Sequence, residues 1–272
     1  MTRINIASKK QIIGSETKHI VLIGAGNVST HLSRHLHSAG HGIKAIYSRN
    51  IESANLLAKE FDAIGTDDPE EVPQKADFFI VCLPDQVISE VAMRFQDHQG
   101  IWLHTAGACS IGVFEDLQDH YGVMYPLQTL SRKRPVNLEE APFLIEGSSQ
   151  KITALILHLA SSITRNVFEM DSASRLVLHL AAVFANNFSN HMVHLAQQIL
   201  EEQDIDVKLL NPILKETFNK MVEMGAAESQ TGPAMRGDVE TMQKHVQILK
   251  EHPEWENLYT FISRDIGGSW KE

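Results

Sequence analysis

The first clear pattern along the chain is a short apolar run followed by apolar positions at helical spacing. Residues 19–23 are mostly large and apolar, and apolar side chains then recur at Val28 and Leu32. A short apolar run is typical of a buried strand, and a spacing of four residues is typical of one face of a helix. Gly24 and Gly26 lie between the two. The pattern predicts a strand, a tight turn and a helix.

The same alternation of apolar runs and helical repeats continues to residue 171. The run at residues 76–82 is almost entirely apolar, which favours a strand buried on both faces of a parallel sheet. Alternating strands and helices predict one mostly parallel, doubly wound α/β domain. The other predicted strands are residues 43–47, 63–64, 101–104, 122–125, 142–146 and 166–170, and the helices between them include residues 52–61, 87–95 and 151–162.

After residue 171 the strand pattern disappears and apolar positions recur only at helical spacing. The loop at residues 227–238 contains a Gly-Pro pair that stops one helix and an Asp238 that caps the next. The helical repeats cover residues 172–202, 207–224, 239–251 and 255–266. We therefore predict a poorly ordered leader at residues 1–18, an α/β domain at residues 19–171 and an all-helical domain at residues 172–272.

Composition excludes several classes of partner and cofactor. Lys and Arg number 24 against 34 Asp and Glu, and the formal net charge of -10 has the wrong sign for binding nucleic acid through its phosphates. Cys82 and Cys109 lack the spacing of metal ligands and the 14 histidines are scattered, so we expect no metal site. Residues 1–18 contain only a two-residue apolar patch, which is too short for a membrane span or the core of a signal peptide. Reduced cysteines then indicate a cytoplasmic protein.

The turn at Gly24 and Gly26 carries the first functional signal. In a dinucleotide-binding unit the first glycine permits the turn, the second lets the backbone approach a pyrophosphate, and the third position lets the helix pack on the strand. Here the third position is Ser29, which is small but not glycine. The turn alone is weak evidence, because many strand-to-helix turns use glycine for its backbone freedom. It also suits the adenosyl group of S-adenosylmethionine.

The end of the second predicted strand distinguishes between these ligands. An NAD-binding unit usually has an Asp or Glu about 20 residues after the glycine turn, where it accepts hydrogen bonds from the ribose. This chain has Ser48 and Arg49 there. A guanidinium pairs with a 2′-phosphate, which a carboxylate would repel. The pair predicts NADP and argues against S-adenosylmethionine, which has no 2′-phosphate. A solvated arginine without a ligand is the simpler alternative.

Two later strands end in residues that we expect at the same edge of the sheet. Ligands of doubly wound sheets bind beyond the carboxyl ends of the strands. Leu83, Pro84 and Asp85 follow one of these strands, although Asp85 is also suited to cap the next helix. His104 and Thr105 follow the other. An imidazole in this position is a candidate for proton transfer, although a lone histidine is more often structural.

The first helical repeat of the second half has a polar stripe among apolar residues. At about 100° per residue, Arg175, His179, Asn186 and Asn190 fall on one side of this helix. Polar side chains cost about 1–3 kcal/mol each when they are buried without partners. The stripe is therefore either a solvent-exposed face or the wall of a polar pocket, and the pattern leaves both open.

With these residues in hand, the chain resembles the Rossmann-like proteins grouped with the deazaflavin-dependent NADP oxidoreductases, in the branch whose C-terminal helical domain has no known function. The resemblance covers almost the whole chain after the leader, and its motifs are specific only in combination. Wider relatives include pyrroline-5-carboxylate reductase and the 6-phosphogluconate and hydroxyisobutyrate dehydrogenases. The matching motifs begin at Gly24, Ser48, Leu83, His104, Pro126, His179, Asn187 and Thr231.

The chain departs from the family pattern at two positions near its motifs. Tyr125 stands where a histidine usually precedes Pro-Leu-Gln-Thr, and Ala106 stands where serine is common. Neither change should abolish cofactor binding, but both alter the pocket. The hydroxyisobutyrate dehydrogenases use a lysine of the long helix as their acid. No lysine occurs between Arg165 and Gln203 here, so that mechanism does not carry over.

The resemblance implies an NADP-linked hydride transfer in a cleft between a Rossmann domain and an all-α domain, within a homodimer built through the helices. It does not imply a particular small-molecule substrate. Two alternatives stay open at this point. One is a non-catalytic NADP-binding regulatory protein, and the other is an imine reductase similar to pyrroline-5-carboxylate reductase.

The predicted site combines residues of both halves. The predicted cofactor contacts are Gly24, Gly26, Asn27, Val28 and Ser29 for the pyrophosphate, Ser48 and Arg49 for the 2′-phosphate, Leu83, Pro84 and Asp85 for the ribose region, and His104 and Thr105 beside the nicotinamide. The residues predicted to face the substrate are His179, Asn187, Thr231 and Arg236. His179 is the first choice for proton donor, because an imidazole titrates near neutral pH. Arg236 suits an anionic group of the substrate.

Overall fold

A computed structural model describes residues 16–267 of the chain. Most of the predicted leader, residues 1–18, therefore lies outside the described residues. The first part of the chain forms a single sheet, and its strands lie on the predicted apolar runs. The strands are β1 His19–Ile23, β2 Gly42–Tyr47, β3 Ile64–Thr66, β4 Lys75–Val81, β5 Gln99–His104, β6 Tyr121–Pro126, β7 Phe143–Gly147 and β8 Val167–Glu169.

The sheet has the strand order β3-β2-β1-β4-β5-β6-β7-β8. Neighbouring strands are parallel, except that β6 and β7 run antiparallel with Tyr125 opposite Leu144. The first six strands have the order of a doubly wound dinucleotide-binding fold, with β1 between β2 and β4. The predicted mostly parallel α/β fold is confirmed.

Helices and short turns cover both faces of the sheet. The helices are α1 Asn27–Ser38, α2 Ile51–Ala58, α3 Ile88–Met93 and α4 Gln150–Ser161. On one face α1, α2 and α4 bury side chains such as Leu32 and Ile156. On the other face α3 and a 3-10 turn at Ile111–Phe114 cover Phe79 and Trp102, whose rings stack 4.7 Å apart. Burying each such side chain stabilises the fold by about 1.5–3 kcal/mol.

The second half of the chain forms helices where the repeats predict them. These are α5 Ser172–Ala182, α6 Ser189–Glu201, α7 Asn211–Met224, α8 Ala226–Ser229, α9 Pro233–Arg236, α10 Val239–Ile248 and α11 Pro253–Gly267. The one-turn helix α9 lies within the predicted loop, and the one-turn helix α8 overlaps its start. Asp238 caps α10 as predicted, because its carboxylate accepts a hydrogen bond from Thr241 N at 3.1 Å. The helical second half is confirmed.

A π-helical segment, Val183–Phe188, follows α5 and precedes α6. A π-helix has a different number of residues per turn, so an angle of 100° per residue does not hold across it. The predicted stripe of four polar residues is therefore wrong beyond α5. It applies to Arg175 and His179, which are one turn apart within α5, and not to Asn186 and Asn190.

The chain forms two compact units that divide after Asn186. The first unit contains the sheet together with α1 to α5, and the second contains α6 to α11. The predicted domain boundary at residue 171 places α5 with the other helices. In the structure α5 packs on the sheet, because two of its side chains, Arg175 and His179, contact residues of β7 and β6.

Arg175 is fully buried and attaches α5 to the sheet. Its Nη1 donates to Glu146 Oε2 of β7 at 2.7 Å, and its Nη2 donates to the Cys109 carbonyl at 2.6 Å. Ser172 Oγ donates to the same Glu146 oxygen at 2.7 Å. A buried ion pair adds little net stability, but removal of one partner leaves a charge without compensation. The pair therefore fixes the position of α5 more than it stabilises the fold.

We expect Arg175→Met to lower the free energy of unfolding by about 3 kcal/mol, because Glu146 would remain largely buried without its partner. Adding Glu146→Gln should restore part of this loss, since the unpaired charge is then gone. Urea unfolding of the variants measures both effects. The control is Arg165→Met, which breaks an exposed pair with Glu139 and should change stability by less than about 1 kcal/mol. Equal losses for Arg175 and Arg165 would contradict the assignment.

Candidate active site

The glycine turn after β1 contacts the ends of both neighbouring strands, β4 and β2. Gly24 has a φ of +113°, and a Cβ there would lie 2.5 Å from the carbonyl oxygen of Cys82 at the end of β4. The Gly24 N–H donates to the Tyr47 carbonyl at the end of β2 at 2.7 Å. A Cβ at Gly26 would meet nothing within 4 Å. Gly24 is therefore required for packing, whereas Gly26 faces open space in front of α1.

The N-terminus of α1 offers free hydrogen-bond donors. Gly26 is its N-cap residue, no side chain caps it, and its first turn contains no acidic residue. Uncapped N–H groups and the helix dipole favour an anion at this point. Ser29, in the same turn, has a fully buried Oγ that lacks a hydrogen-bond partner among the described residues. The uncapped helix end fits a phosphate group at this turn, whereas the buried Ser29 hydroxyl has no exposed surface to offer a ligand.

A cavity of about 300 Å³ adjoins the turn at the carboxyl edge of the sheet. Its lining includes the predicted contacts Gly24, Gly26, Ser48, Arg49, Leu83 and Pro84, together with Tyr47, Asn50 and Ser53. The structure thus brings together the glycine turn and the predicted 2′-phosphate pair. Neither Asp nor Glu lines this cavity in the described part of the chain. The residues present fit NADP, with the turn suited to the pyrophosphate and the cation suited to the 2′-phosphate.

Asp85 lies just outside this cavity, in a 3-10 turn at Asp85–Val87 before α3. Its side chain caps neither this turn nor α3, so the capping role considered from the sequence is wrong. Its carboxylate contributes to raising the pKa of Cys109 and of Tyr125, although desolvation is the larger cause in both cases. The charge of Asp85 therefore influences the titration of side chains next to β5 and β6.

His104 ends β5 but points into the protein interior. Its ring is fully buried beside Phe114, and its Nδ1 accepts a hydrogen bond from the Ala106 N–H at 3.2 Å. The ring proton of the neutral form is then on Nε2, which has no partner with hydrogen-bonding geometry among the described residues. Desolvation, assisted by the charge of Arg175, lowers the pKa of His104 to about 3. The imidazole is therefore neutral near pH 7 and cannot serve there as an acid.

Thr105 also uses its polar groups within the sheet. Its Oγ1 donates to the Val81 carbonyl at 3.3 Å, and its side chain is almost fully buried. It also hydrogen bonds with the Cys82 thiol, whose pKa desolvation raises to about 12. The thiol is therefore protonated and unreactive near neutral pH. His104 and Thr105 therefore direct their side chains inward and hydrogen bond with backbone groups at the edge of the sheet.

His179 of α5 lies over β6 and the loop after β5. Its Nδ1 is 3.1 Å from the Tyr125 hydroxyl, and the two rings meet at 73°. A Cβ at Gly107 would lie 2.4 Å from the same Nδ1, so the glycine provides the space for the ring. Desolvation raises the pKa of Tyr125, against a smaller opposing effect of Arg175. The phenol therefore stays protonated at neutral pH, and its hydroxyl can donate to Nδ1 or accept from it, depending on the tautomer of the ring.

Tyr125 and Arg132 lie next to predicted site residues and were not among them. Tyr125 was noticed only as a departure from the family pattern, and its position opposite α5 depends on packing that the sequence pattern does not report. Arg132 lies in the long loop between β6 and β7, where its guanidinium donates to the Ala25 carbonyl of the glycine turn at 3.2 Å. A run of cations at residues 132–134 was the available signal.

The other three predicted site residues lie in the second compact unit. Asn187 is in the π-helical segment, Arg236 is the last residue of α9, and Thr231 precedes α9. Thr231 lines an apolar cavity of about 340 Å³ within this unit, together with Trp255 and Tyr259. Their roles toward a substrate stay predictions.

Residues 16–267 were predicted to hold neither a metal site nor a membrane span. This part of the chain contains no group of three or more His, Cys, Asp or Glu side chains arranged to hold a metal ion. None of its helices is both long enough and apolar enough to span a bilayer.

The strand order, the glycine turn and the adjoining cavity define a Rossmann-type dinucleotide-binding domain. Comparison with protein families agrees. The family model for NADP oxidoreductase, coenzyme F420-dependent, matches residues 19–102, and that for the domain of unknown function DUF2520 matches residues 141–266. None of the curated proteins matches the chain significantly.

Solved structures identify the family. A Bacteroides fragilis protein described as a candidate NADP oxidoreductase is 38% identical, with a TM-score of 0.88 over 93% of this chain and 99% of that one. The chain belongs to the same family of NADP oxidoreductases, so the predicted resemblance is confirmed, and NADP is the cofactor of that family.

More distant structures share the fold alone. A Thermotoga maritima protein is 21% identical, with a TM-score of 0.75 over 92% of this chain and 100% of that one. The 1-pyrroline-5-carboxylate reductase of Streptococcus pyogenes is 10% identical, with a TM-score of 0.60 over 93% of this chain and 99% of that one. These matches confirm the α/β fold followed by helices.

Burial of neutral His104 predicts acid sensitivity. Between pH 6.5 and about 3 the unfolded chain protonates this histidine and the folded chain does not, so stability falls with decreasing pH. This histidine contributes up to about 1.4 kcal/mol per pH unit. His104→Asn keeps an acceptor for Ala106 N–H but removes the titration. Urea unfolding from pH 7 to pH 4 should therefore give a shallower slope in the variant, and an unchanged slope would contradict the assignment.

Proposed function

We propose that this protein is an NADP-dependent oxidoreductase that transfers a hydride between NADP(H) and an unidentified small substrate. The observation that carries the proposal is the shared cavity. Ser48 and Arg49 at the end of β2 line the same space as Gly24 and Gly26. One extended ligand can therefore place a pyrophosphate on the turn and a second phosphate on the cation.

The choice of NADP over NAD rests on the charge at the end of β2. An NAD-binding unit has a carboxylate there, which would repel a 2′-phosphate. Arg49 is exposed and pairs with no carboxylate among residues 16–267. A guanidinium forms strong bidentate bonds with a phosphate. The Ser48 Oγ accepts from the Asn50 N–H at 3.2 Å, which leaves its own proton for the same group.

The proposed proton donor is His179. Bound NADP(H) supplies the hydride chemistry, so the protein must add a proton donor and fix the geometry. Imidazole is the ordinary side chain whose charge changes near neutral pH. Tyr125 engages Nδ1 of His179 whether the ring is neutral or charged, because a hydroxyl can donate or accept. The charged ring donates from Nδ1 to the Tyr125 hydroxyl and gives its Nε2 proton to the substrate, which leaves a neutral ring that still donates from Nδ1.

The same pair supports an enzyme over a regulatory protein that only binds NADP. Such a regulator needs no titratable group at the edge of the sheet, whereas an oxidoreductase needs a proton donor there. His179 and Tyr125 supply one between β6 and α5.

The homodimer expected from the resemblance stays a prediction, and the exposed apolar side chains Leu176, Val177 and Leu180 on α5 support it.

Calorimetric titration with NADPH and NADH tests the cofactor assignment. We expect NADPH to bind at least about tenfold more tightly, because Arg49 adds a charge-assisted contact to the 2′-phosphate. Arg49→Asp should weaken NADPH selectively and leave NADH nearly unchanged. Lys59→Asp, which makes the same change of charge at an exposed position after α2, is the control. Equal affinities for the two cofactors, or binding of neither, would refute the proposal.

The proton-donor assignment requires a substrate, which a screen of oxo acids, imines and a deazaflavin for NADPH oxidation can supply. With an active substrate, His179→Ala should reduce kcat by about 100-fold or more. Tyr125→Phe should reduce kcat less and shift the pH profile, since Nδ1 loses its partner. His120→Ala, at an exposed histidine before β6, should have no effect. Undiminished turnover in His179→Ala would remove this residue from the mechanism.

A further inference from the structure

The loop between β6 and β7 carries three consecutive cations at Arg132, Lys133 and Arg134. They stand out in a chain whose formal net charge is -10. No carboxylate pairs with any of the three in the described part of the chain. Of these three side chains, Arg132 is the one that the structure places beside the glycine turn.

This loop is fixed against one face of α1. Three side chains at four-residue spacing hold it: Asn27, His31 and His35. Asn27 Oδ1 accepts from the Arg132 N–H at 3.2 Å, and His31 Nε2 lies 3.0 Å from the Ser131 carbonyl. His35 Nε2 accepts from a further loop N–H, that of Leu138, at 3.4 Å. Residues four apart lie on the same side of a helix, so α1 presents a continuous polar edge to the loop.

The Arg132 guanidinium reaches the glycine turn itself. Its Nη1 donates to the Ala25 carbonyl at 3.2 Å, between Gly24 and Gly26. A guanidinium carries five N–H donors. The remaining donors of Arg132 have no partner among residues 16–267. The Ala25 carbonyl that Arg132 contacts belongs to a turn whose residues Gly24, Ala25 and Gly26 line the cavity at the uncapped N-terminus of α1.

We propose that Arg132 binds the pyrophosphate of the dinucleotide and supplies a second anion-binding group beside the helix N-terminus. This inference rests on the proposed NADP function, because it assigns a further residue to the same site. Arg132 also offsets the Ala25 carbonyl, whose negative end would otherwise repel a phosphate at the turn. Its contribution differs from that of Arg49, since NADPH and NADH share the pyrophosphate but not the 2′-phosphate.

Calorimetry of Arg132→Ala with NADPH, NADH, ADP and adenosine tests the assignment. We expect both dinucleotides and ADP to bind about tenfold more weakly, with the ratio of NADPH to NADH affinity unchanged. Adenosine, which has no phosphate, should bind as it does to the unaltered protein. Arg132→Lys should lie between the two, because it keeps the charge and loses the planar fork. Lys133→Ala is the control, since it removes the same charge from the same loop.

The results separate the role of Arg132 from the proposed binding of NADP. Affinities in Arg132→Ala equal to those of the unaltered protein would overturn the inference and leave the NADP proposal standing. A loss confined to NADPH would place Arg132 at the 2′-phosphate, and an equal loss in Lys133→Ala would reduce the effect to general charge. Binding of neither dinucleotide by the unaltered protein would overturn both proposals together. Because Arg132 is exposed, an unchanged thermal midpoint should accompany the loss of affinity.

Discussion

The close approach of Gly24 to the end of β4 is the constraint on which the cofactor edge depends. A Cβ at Gly24 would lie 2.5 Å from the Cys82 carbonyl oxygen, and the backbone there has a φ of +113°. The same residue donates its N–H to Tyr47 at the end of β2. One residue thus fixes the ends of three strands against each other. The cavity that contains Ser48 and Arg49 lies at this junction, so its shape follows from the absence of a side chain.

A second constraint places the proposed proton donor. Arg175 and Glu146 form an ion pair in which the guanidinium is fully buried, an arrangement that costs desolvation and returns little net stability. The ion pair therefore matters more for the position of α5 than for the free energy of unfolding. His179 follows Arg175 by one turn of α5, so the pair that fixes Arg175 at β7 also sets the ring of His179 over Gly107 and beside Tyr125. Positioning explains the retention of a costly buried charge better than stability does.

The sequence predicts those parts of the fold that depend on local patterns. Apolar runs and glycine chemistry are local, so the strands, the turn and the position of Arg49 follow from the sequence. The antiparallel pairing of β6 with β7 has only an indirect signal, the lack of a helical repeat at residues 127–142 to provide a parallel crossover. The π-helical segment does not follow the angle of 100° per residue from which the polar stripe was predicted. Contacts between distant segments, such as Tyr125 with His179, have no local signature at all.

His104 and Arg132 illustrate this difference within one site. The end of a parallel strand indicates where a side chain lies but not which way it points, and the His104 ring turns inward beside Phe114. Arg132 is far from any strand end, yet the loop contacts with Asn27 and His31 bring it to the turn. The fold therefore supplies the uncapped helix end, which many dinucleotide-binding domains share, whereas the long loop supplies the guanidinium that we propose acts beside it. Because such loops are held by a few hydrogen bonds, they can change without disturbing the sheet that positions the turn.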